Sequence, residues 1–299
     1  MDIRQYIDAK RKEVDKALEK YLPLEKGSLA VHIKAMRYSL FAGGKRVRPI
    51  LCLAAAESVK DFNDDFPEAV MLAACALECI HTYSLIHDDL PAMDDDDLRR
   101  GKPTNHVVFG EAGAILAGDS LLTYAFDLLS RNVTAAINAK DRLTIISLIS
   151  KAAGPEGMVG GQFLDLDNEG KKVHYDILRS IHSRKTGALI TASVQTGGIL
   201  GSSTPDQFQA LTRYGIQIGL AFQIIDDLLN VEGTAEQLGK AAGSDAARNK
   251  ATYPALFGVE KTREKAEEAV QEALAALDDF DERADLLRDL AQYIIARKR

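Results

Sequence analysis

With 299 residues, 46% of them hydrophobic, and a formal charge of −7, the chain can bury a large core in one domain or two. The acidic balance argues against nucleic acid as a partner, because binding a phosphate backbone needs a basic stripe. The cysteines, Cys52, Cys75 and Cys79, form an odd set without metal-site spacing, and Cys75 and Cys79 lie one helical turn apart in an apolar run, as core residues do.

Helical periodicity covers most of the chain. Ile3, Ile7, Val14, Leu18 and Leu22 mark a first amphipathic helix. Residues 28–41 and 47–59 predict two more. Pro67 opens a long apolar helix over 67–89, a position where its missing N–H is not needed. Further helices are predicted near 111–131, 139–152, 174–200, 205–230, 260–277 and 282–297, with loops at about 90–106, 166–173 and 231–250. Period-2 alternation is absent. The predicted architecture is a single all-α domain over 1–299, a large helical bundle with its polar loops gathered around one mouth. No apolar stretch reaches the roughly 18 residues needed to span a bilayer. The N-terminal helix lacks a signal-peptide core, so a cytoplasmic protein without stable membrane insertion is expected.

Two aspartate clusters stand at the ends of apolar helical runs: DDLPAMD at Asp88–Asp94 and DDLLN at Asp226–Asn230. Adjacent carboxylates repel, and desolvation penalises them further. A hard divalent cation removes that cost, and Mg²⁺ is held by one or two carboxylates together with substrate phosphates. Two such clusters suggest a cage for a diphosphate. On a helix, residues four apart lie only about 40° apart around the axis, so Asp226 and Asn230 share a face with Asp227 beside them. Asp88 and Asp89 end a helix, Pro91 breaks it, and Asp94 returns from the loop. A solvated acidic loop would explain Asp94–Asp97 alone, but not two clusters each embedded in apolar sequence.

Diphosphate also needs cations. Gly43 and Gly44 precede Lys45, Arg46 and Arg48, without the spacing or preceding strand of a nucleotide-binding P-loop. Arg99 and Arg100 follow the first aspartate cluster, and the guanidinium fork suits phosphate oxygens. Lys185 and Thr186 fall in a helical stretch, while Lys240 and Lys250 flank the loop after the second cluster. His81 is two turns before Asp88 on the same face. Together these groups could neutralise two diphosphates, as a reaction joining two diphosphate substrates requires.

The segments SLIHDDLPAMDDDDLRRGKPTNH, FQIIDDLLN, AGGKRVRP and GSDAARNKATYPALFG, which agree in chain order and spacing, resemble the aspartate-rich and substrate-binding regions of the short-chain trans-prenyl diphosphate synthases, with greatest likeness to the bacterial farnesyl type. The match runs from about residue 29 to 257. The resemblance implies an all-α bundle around a deep apolar cavity, usually a homodimer, and Mg²⁺ as cofactor, about three ions with substrate bound. It implies Asp88, Asp94 and Asp226 as the main metal ligands, assisted by Asp89 and Asp227, with Lys185 also among the catalytic groups. Gly44, Lys45, Arg48, His81 and Arg100 would hold isopentenyl diphosphate. Arg99, Lys185, Thr186, Gln223 and Lys240 would contact the allylic diphosphate, with Lys250 a further contact. The family's second region usually ends in aspartate; Asn230 stands there instead.

The implied chemistry is ionisation of the allylic C–O bond, attack on the cation by the double bond of isopentenyl diphosphate, and proton loss to the released pyrophosphate. Tyr83 and Ser84 stand five and four residues before Asp88, roughly 6–8 Å down the helix, where Tyr83 could floor the growing chain. An aromatic at that position, with the two extra residues Pro91 and Ala92 in the first region, resembles the bacterial farnesyl type, and the resemblance implies a fifteen-carbon product. The same chemistry with a ten- or twenty-carbon product is the main alternative. A terpene cyclase would need a different second motif and has no use for a second diphosphate site. A non-catalytic partner subunit would be expected to lose the first aspartate region, which is intact.

Overall fold

The computed structural model describes residues 2–63, 65–131, 137–232 and 251–296. Lys240 and Lys250 lie outside the described residues. Helices carry almost all of the regular structure, and the fold class is all-α. Among the described residues the sole strands are Leu98–Arg99 and Lys102–Pro103, a two-residue antiparallel pair that shapes the turn after the first aspartate cluster.

The chain divides into two compact units, residues 1–50 with 67–137, and residues 51–66 with 138–299. In the first, α1 (Ile3–Tyr21) is capped by the Asp2 side chain and buries Tyr6, Lys10, Val14 and Leu18, one residue per turn. It packs on α4 (Glu68–Asp88), which also meets α2 (Ala30–Leu40) and, most extensively, α5 (Asn105–Ser130). Pro67 is the N-cap of α4, one residue outside the helix rather than its first residue. α5 starts six residues earlier than its periodicity indicates. Gly110 sits within it at φ +76, a conformation open to glycine, and the kink there interrupts the apolar pattern. α3 (Val47–Glu57) carries the chain from the first unit into the second.

The second unit is organised around α10 (Pro205–Glu232), which packs against α9 (Ala188–Leu200) and α12 (Val259–Ala275). α6 (Ala139–Ala153) is capped by Asn138, whose carbonyl oxygen accepts from the Asp141 amide at 2.9 Å. α7 (Met158–Asp167) was not foreseen as an element, because Gly160 and Gly161 dilute its apolar signal. The predicted 174–200 helix is real but is interrupted. α8 (Tyr175–His182) passes through a π-helical turn at Ser183–Gly187 before α9 begins. Such turns cost backbone geometry and recur at functional sites. The described residues of the unit also form a short α11 (Tyr253–Phe257) and a C-terminal α13 (Asp285–Ala296).

The expectation about apolar stretches needs correcting. α4 and α5 are each long and apolar enough, by length and composition, to cross a membrane. The reason in α4 is core packing: 78% of its apolar window is buried within the protein, against 39% for α5. All cysteines are buried, as expected of core residues, and burial pushes Cys52 and Cys79 up to about 12. The thiolate is the reactive form. Native protein should therefore show negligible labelling by a thiol reagent at pH 8 over minutes, with all three sites reacting in denaturant. Rapid native labelling would contradict this packing.

Candidate active site

In the first unit, the end of α4 and the turn that follows bring the first cluster together. The Asp94 amide donates to the Asp88 carbonyl at 2.8 Å, and the Met93 amide to the Leu90 carbonyl at 2.8 Å. The chain thus folds back after Pro91 and returns Asp94 to the helix end, as its spacing indicates. Asp88 and Asp94 are half-buried, whereas Asp89 is buried. Arg99 grips Asp89 through Nε, 2.8 and 2.9 Å from the two carboxylate oxygens. Burial raises the Asp89 pKa, and the Arg99 bonds partly oppose that rise. In this structure Arg99 therefore serves Asp89 directly.

The basic groups of this unit separate by environment. Arg46 is buried: its Nη1 donates to Glu78 at 2.7 Å, its Nε to Asp15 at 2.8 Å and its Nη2 to the Leu40 carbonyl at 2.7 Å. Its charge is spent on the fold, so it leaves the group of basic residues available to substrate. Lys45 is exposed and Arg48 buried. Arg100 donates to the Gly43 carbonyl, and a Cβ on Gly44 would come within 2.6 Å of the Arg100 Nη1. Gly44 at φ +136 therefore makes room for Arg100 as well as for the turn. His81 is held well below its ordinary pKa, first by burial and then by the positive charges of Arg48, Arg100, Arg99 and Arg46. It is neutral at physiological pH, a hydrogen-bonding group among cations rather than another cation.

Further back along α4, Tyr83 is buried and packs edge-on to His87 at 5.7 Å between ring centres. Burial, with the Asp88 charge, pushes its phenol up to about 12. The Ser84 hydroxyl donates to the His81 carbonyl at 2.9 Å.

In the second unit, α10 and the π-helical turn gather Lys185, Thr186, Gln223, Asp226 and Asp227. Lys185 Nζ donates to Asp165 on α7 at 2.7 Å. A Cβ on Gly161 would collide with the Lys185 backbone nitrogen, so glycine there allows α7 to approach the turn. The Thr186 hydroxyl donates to Gln223 Oε1 at 2.8 Å, and Gln223 Nε2 donates to Asp227 Oδ1 at 3.0 Å. Asp227 Oδ2 accepts from the Tyr253 amide at 2.9 Å. Asp227 is buried, while Asp226, one residue earlier, is half-buried.

Asn230 is buried as well. A neutral amide is cheaper to bury than a carboxylate, which gives a physical account of asparagine at the end of the second cluster. Sequence reasoning missed Asp165 and His182, which lie in no quoted motif, and Tyr253, which lies within the segment GSDAARNKATYPALFG but is not singled out by it. His182 stacks on Tyr253 with 5.4 Å between ring centres, and burial lowers its pKa to about 4.

Hard oxygen donors line both clusters, the donor chemistry that Mg²⁺ takes. Among the described residues no group of three or more acidic, histidine or cysteine side chains forms a ready-made metal cage. Two carboxylates at one cluster still suit an ion whose other ligands are waters and substrate phosphates.

The profile of the polyprenyl synthetase family matches residues 30–293. The chain is 46% identical to a farnesyl diphosphate synthase of Geobacillus stearothermophilus, over 99% of this chain and 98% of that protein. It is 48% identical to a chloroplastic geranylgeranyl pyrophosphate synthase of Capsicum annuum, over 98% of this chain and 78% of that one. Among solved structures, an FPP/GFPP synthase from Zymomonas mobilis superposes with a TM-score of 0.86 at 39% identity, covering 98% of each chain.

Proposed function

The chain belongs to the polyprenyl synthetase family, and from that premise we propose that it is a trans-prenyltransferase that condenses isopentenyl diphosphate with dimethylallyl or geranyl diphosphate to give farnesyl diphosphate and pyrophosphate. The observation that carries this reading is an aspartate cluster in each unit accompanied by cationic groups of its own, on a chain matched over 99% or more of its length by farnesyl diphosphate synthases. The catalytic domain is taken to span the whole chain.

Asp88, Asp94 and Asp226 are the residues that would hold Mg²⁺. When bound, the metal would supply positive charge against the diphosphate that leaves the allylic substrate. Lys185 and Thr186 present an ammonium and a hydroxyl from the π-helical turn, positioned to hold the allylic diphosphate. Asp165 holds the Lys185 ammonium at 2.7 Å. Lys45, Arg48 and Arg100, with the neutral His81 among them, suit the diphosphate of isopentenyl diphosphate. His81 can donate there without adding to repulsion among the guanidiniums. Lys240 and Lys250 are assigned to the diphosphates by resemblance alone. No side chain needs to act as a nucleophile, because the attacking electrons come from the substrate double bond.

Product length is where the relatives diverge, since geranylgeranyl pyrophosphate synthases match as closely as farnesyl ones. The buried Tyr83 supports the fifteen-carbon reading, as a floor five residues before Asp88. Ser84, whose hydroxyl is bonded within its own helix, contributes less bulk at that level. We expect Tyr83→Ala to shift the main product to twenty carbons or more with turnover of geranyl diphosphate retained. Chromatography of the dephosphorylated products reads this directly, and an unchanged fifteen-carbon product would remove Tyr83 from the role.

A homodimer in the cytoplasm completes the proposal. α5 leaves Val107, Val108, Ile115 and Leu116 exposed, a face suited to a second copy. Purified protein assayed with Mg²⁺, isopentenyl diphosphate and geranyl diphosphate tests the activity, and light scattering tests the dimer. Absence of pyrophosphate release with either allylic starter would overturn the enzyme reading.

A further inference from the structure

Aspartate pairs in both units share one asymmetry. The first residue of each pair, Asp88 or Asp226, is half-buried, while the second, Asp89 or Asp227, is 3% exposed. The second unit carries this furthest. Each carboxylate oxygen of Asp227 already accepts a hydrogen bond: Oδ1 from Gln223 Nε2 at 3.0 Å and Oδ2 from the Tyr253 amide at 2.9 Å. Gln223 in turn accepts from the Thr186 hydroxyl at 2.8 Å. Behind Tyr253 the ring of His182 stacks at 5.4 Å with the planes 21° apart, and His182 Nε2 is 3.8 Å from Asp227 Oδ2.

The geometry points to Asp227 as a positioning residue and not a metal ligand. It ties three elements together: the π-helical turn through Gln223 and Thr186, α10 on which it stands, and α11 through the Tyr253 amide. α11 is the first helix after the segment that contains Lys240 and Lys250. One buried carboxylate thus fixes the Thr186 hydroxyl and the return of the chain to α10. Both carboxylate oxygens are thereby engaged by N–H donors of the protein itself. The role assigned here rests on the reading of Thr186 as an allylic diphosphate contact, but the anchor itself does not.

The two roles predict opposite behaviour without metal. Removing a metal ligand from an acidic pair relieves repulsion and leaves metal-free protein as stable or more so. Removing an anchor strands the Gln223 and Tyr253 donors in the interior. We therefore expect Asp227→Ala to lower the melting temperature in chelator, without substrate, by roughly 3–6 °C. Asp227→Asn, whose carbonyl oxygen can still accept from the Tyr253 amide, should recover most of that loss. In steady-state assays Asp227→Asn should raise KM for geranyl diphosphate roughly tenfold with the Mg²⁺ concentration for half-maximal rate unchanged.

An unchanged metal-free melting temperature in Asp227→Ala, or a tenfold rise in Mg²⁺ requirement in Asp227→Asn, would overturn the proposal. If Asp227→Ala does not fold, Asp227→Asn carries the test through its Mg²⁺ titration. An inactive wild-type protein would defeat the prenyltransferase reading, and the melting comparison would still decide the anchor.

Discussion

Asp226→Ala should lower kcat by about a thousandfold with the fold intact. Asp226 is half-buried beside an anchored neighbour, so its loss removes negative charge from the site. The reaction separates a diphosphate from an allylic carbon, and the negative charge it develops must be met in place. A contribution of about 4 kcal/mol to that stabilisation corresponds to about three powers of ten in rate. Asp226→Asn keeps an oxygen but loses the charge, and should fall between the wild type and alanine. Asp88→Ala should behave in the same way, because it holds the equivalent half-buried position at the end of α4. Single-turnover rates with geranyl diphosphate separate this loss from slower product release. A loss under about tenfold in both variants would be too small for carboxylates that serve the ionisation step.

Residue pattern alone carried the helical class and both aspartate clusters, because they are local properties. Apolar residues at helical spacing over 67–89 give α4, and a turn that must follow Pro91 returns Asp94 to Asp88. The points where pattern failed are those where distant residues decide. Arg46, Lys45 and Arg48 look alike in sequence as basic groups after a glycine turn. Only the packing of α1 and α4 places Asp15 and Glu78 against Arg46 and withdraws it from the site. The π-helical turn at Ser183–Gly187 leaves no mark in an apolar repeat, yet it determines how Lys185 and Thr186 are presented. Asp165 reaches Lys185 from α7, a helix whose own glycines hid it while allowing the approach. Asn230 is legible only in part: the departure from aspartate is visible in sequence, but its burial explains it.

The second large effect concerns stability and follows from the same division of charges. Arg46→Met should destabilise the protein by about 3–5 kcal/mol, because it leaves the buried Glu78 carboxyl without its 2.7 Å partner. In a chain of this size that is on the order of 10 °C in melting temperature. Burial alone would oppose the Arg46 charge, and Glu78 and Asp15 more than offset that, holding its pKa above the ordinary value. The double variant Arg46→Met/Glu78→Leu removes both buried charges, so it should recover most of the loss. Asp15, whose side chain is 41% exposed, can be solvated when Arg46 is gone and adds little to the cost. If the pair is purely a fold element, the recovered double variant should bind isopentenyl diphosphate with KM within about threefold of wild type. If Arg46 also steers the turn at Gly43–Gly44, its φ of +51 will relax with the lost ion pair. Lys45 and Arg48 would then shift with it, and KM would rise even though stability returned. Equilibrium denaturation of the three proteins, read beside that KM, distinguishes a charge that only holds the core from one that also aims its neighbours.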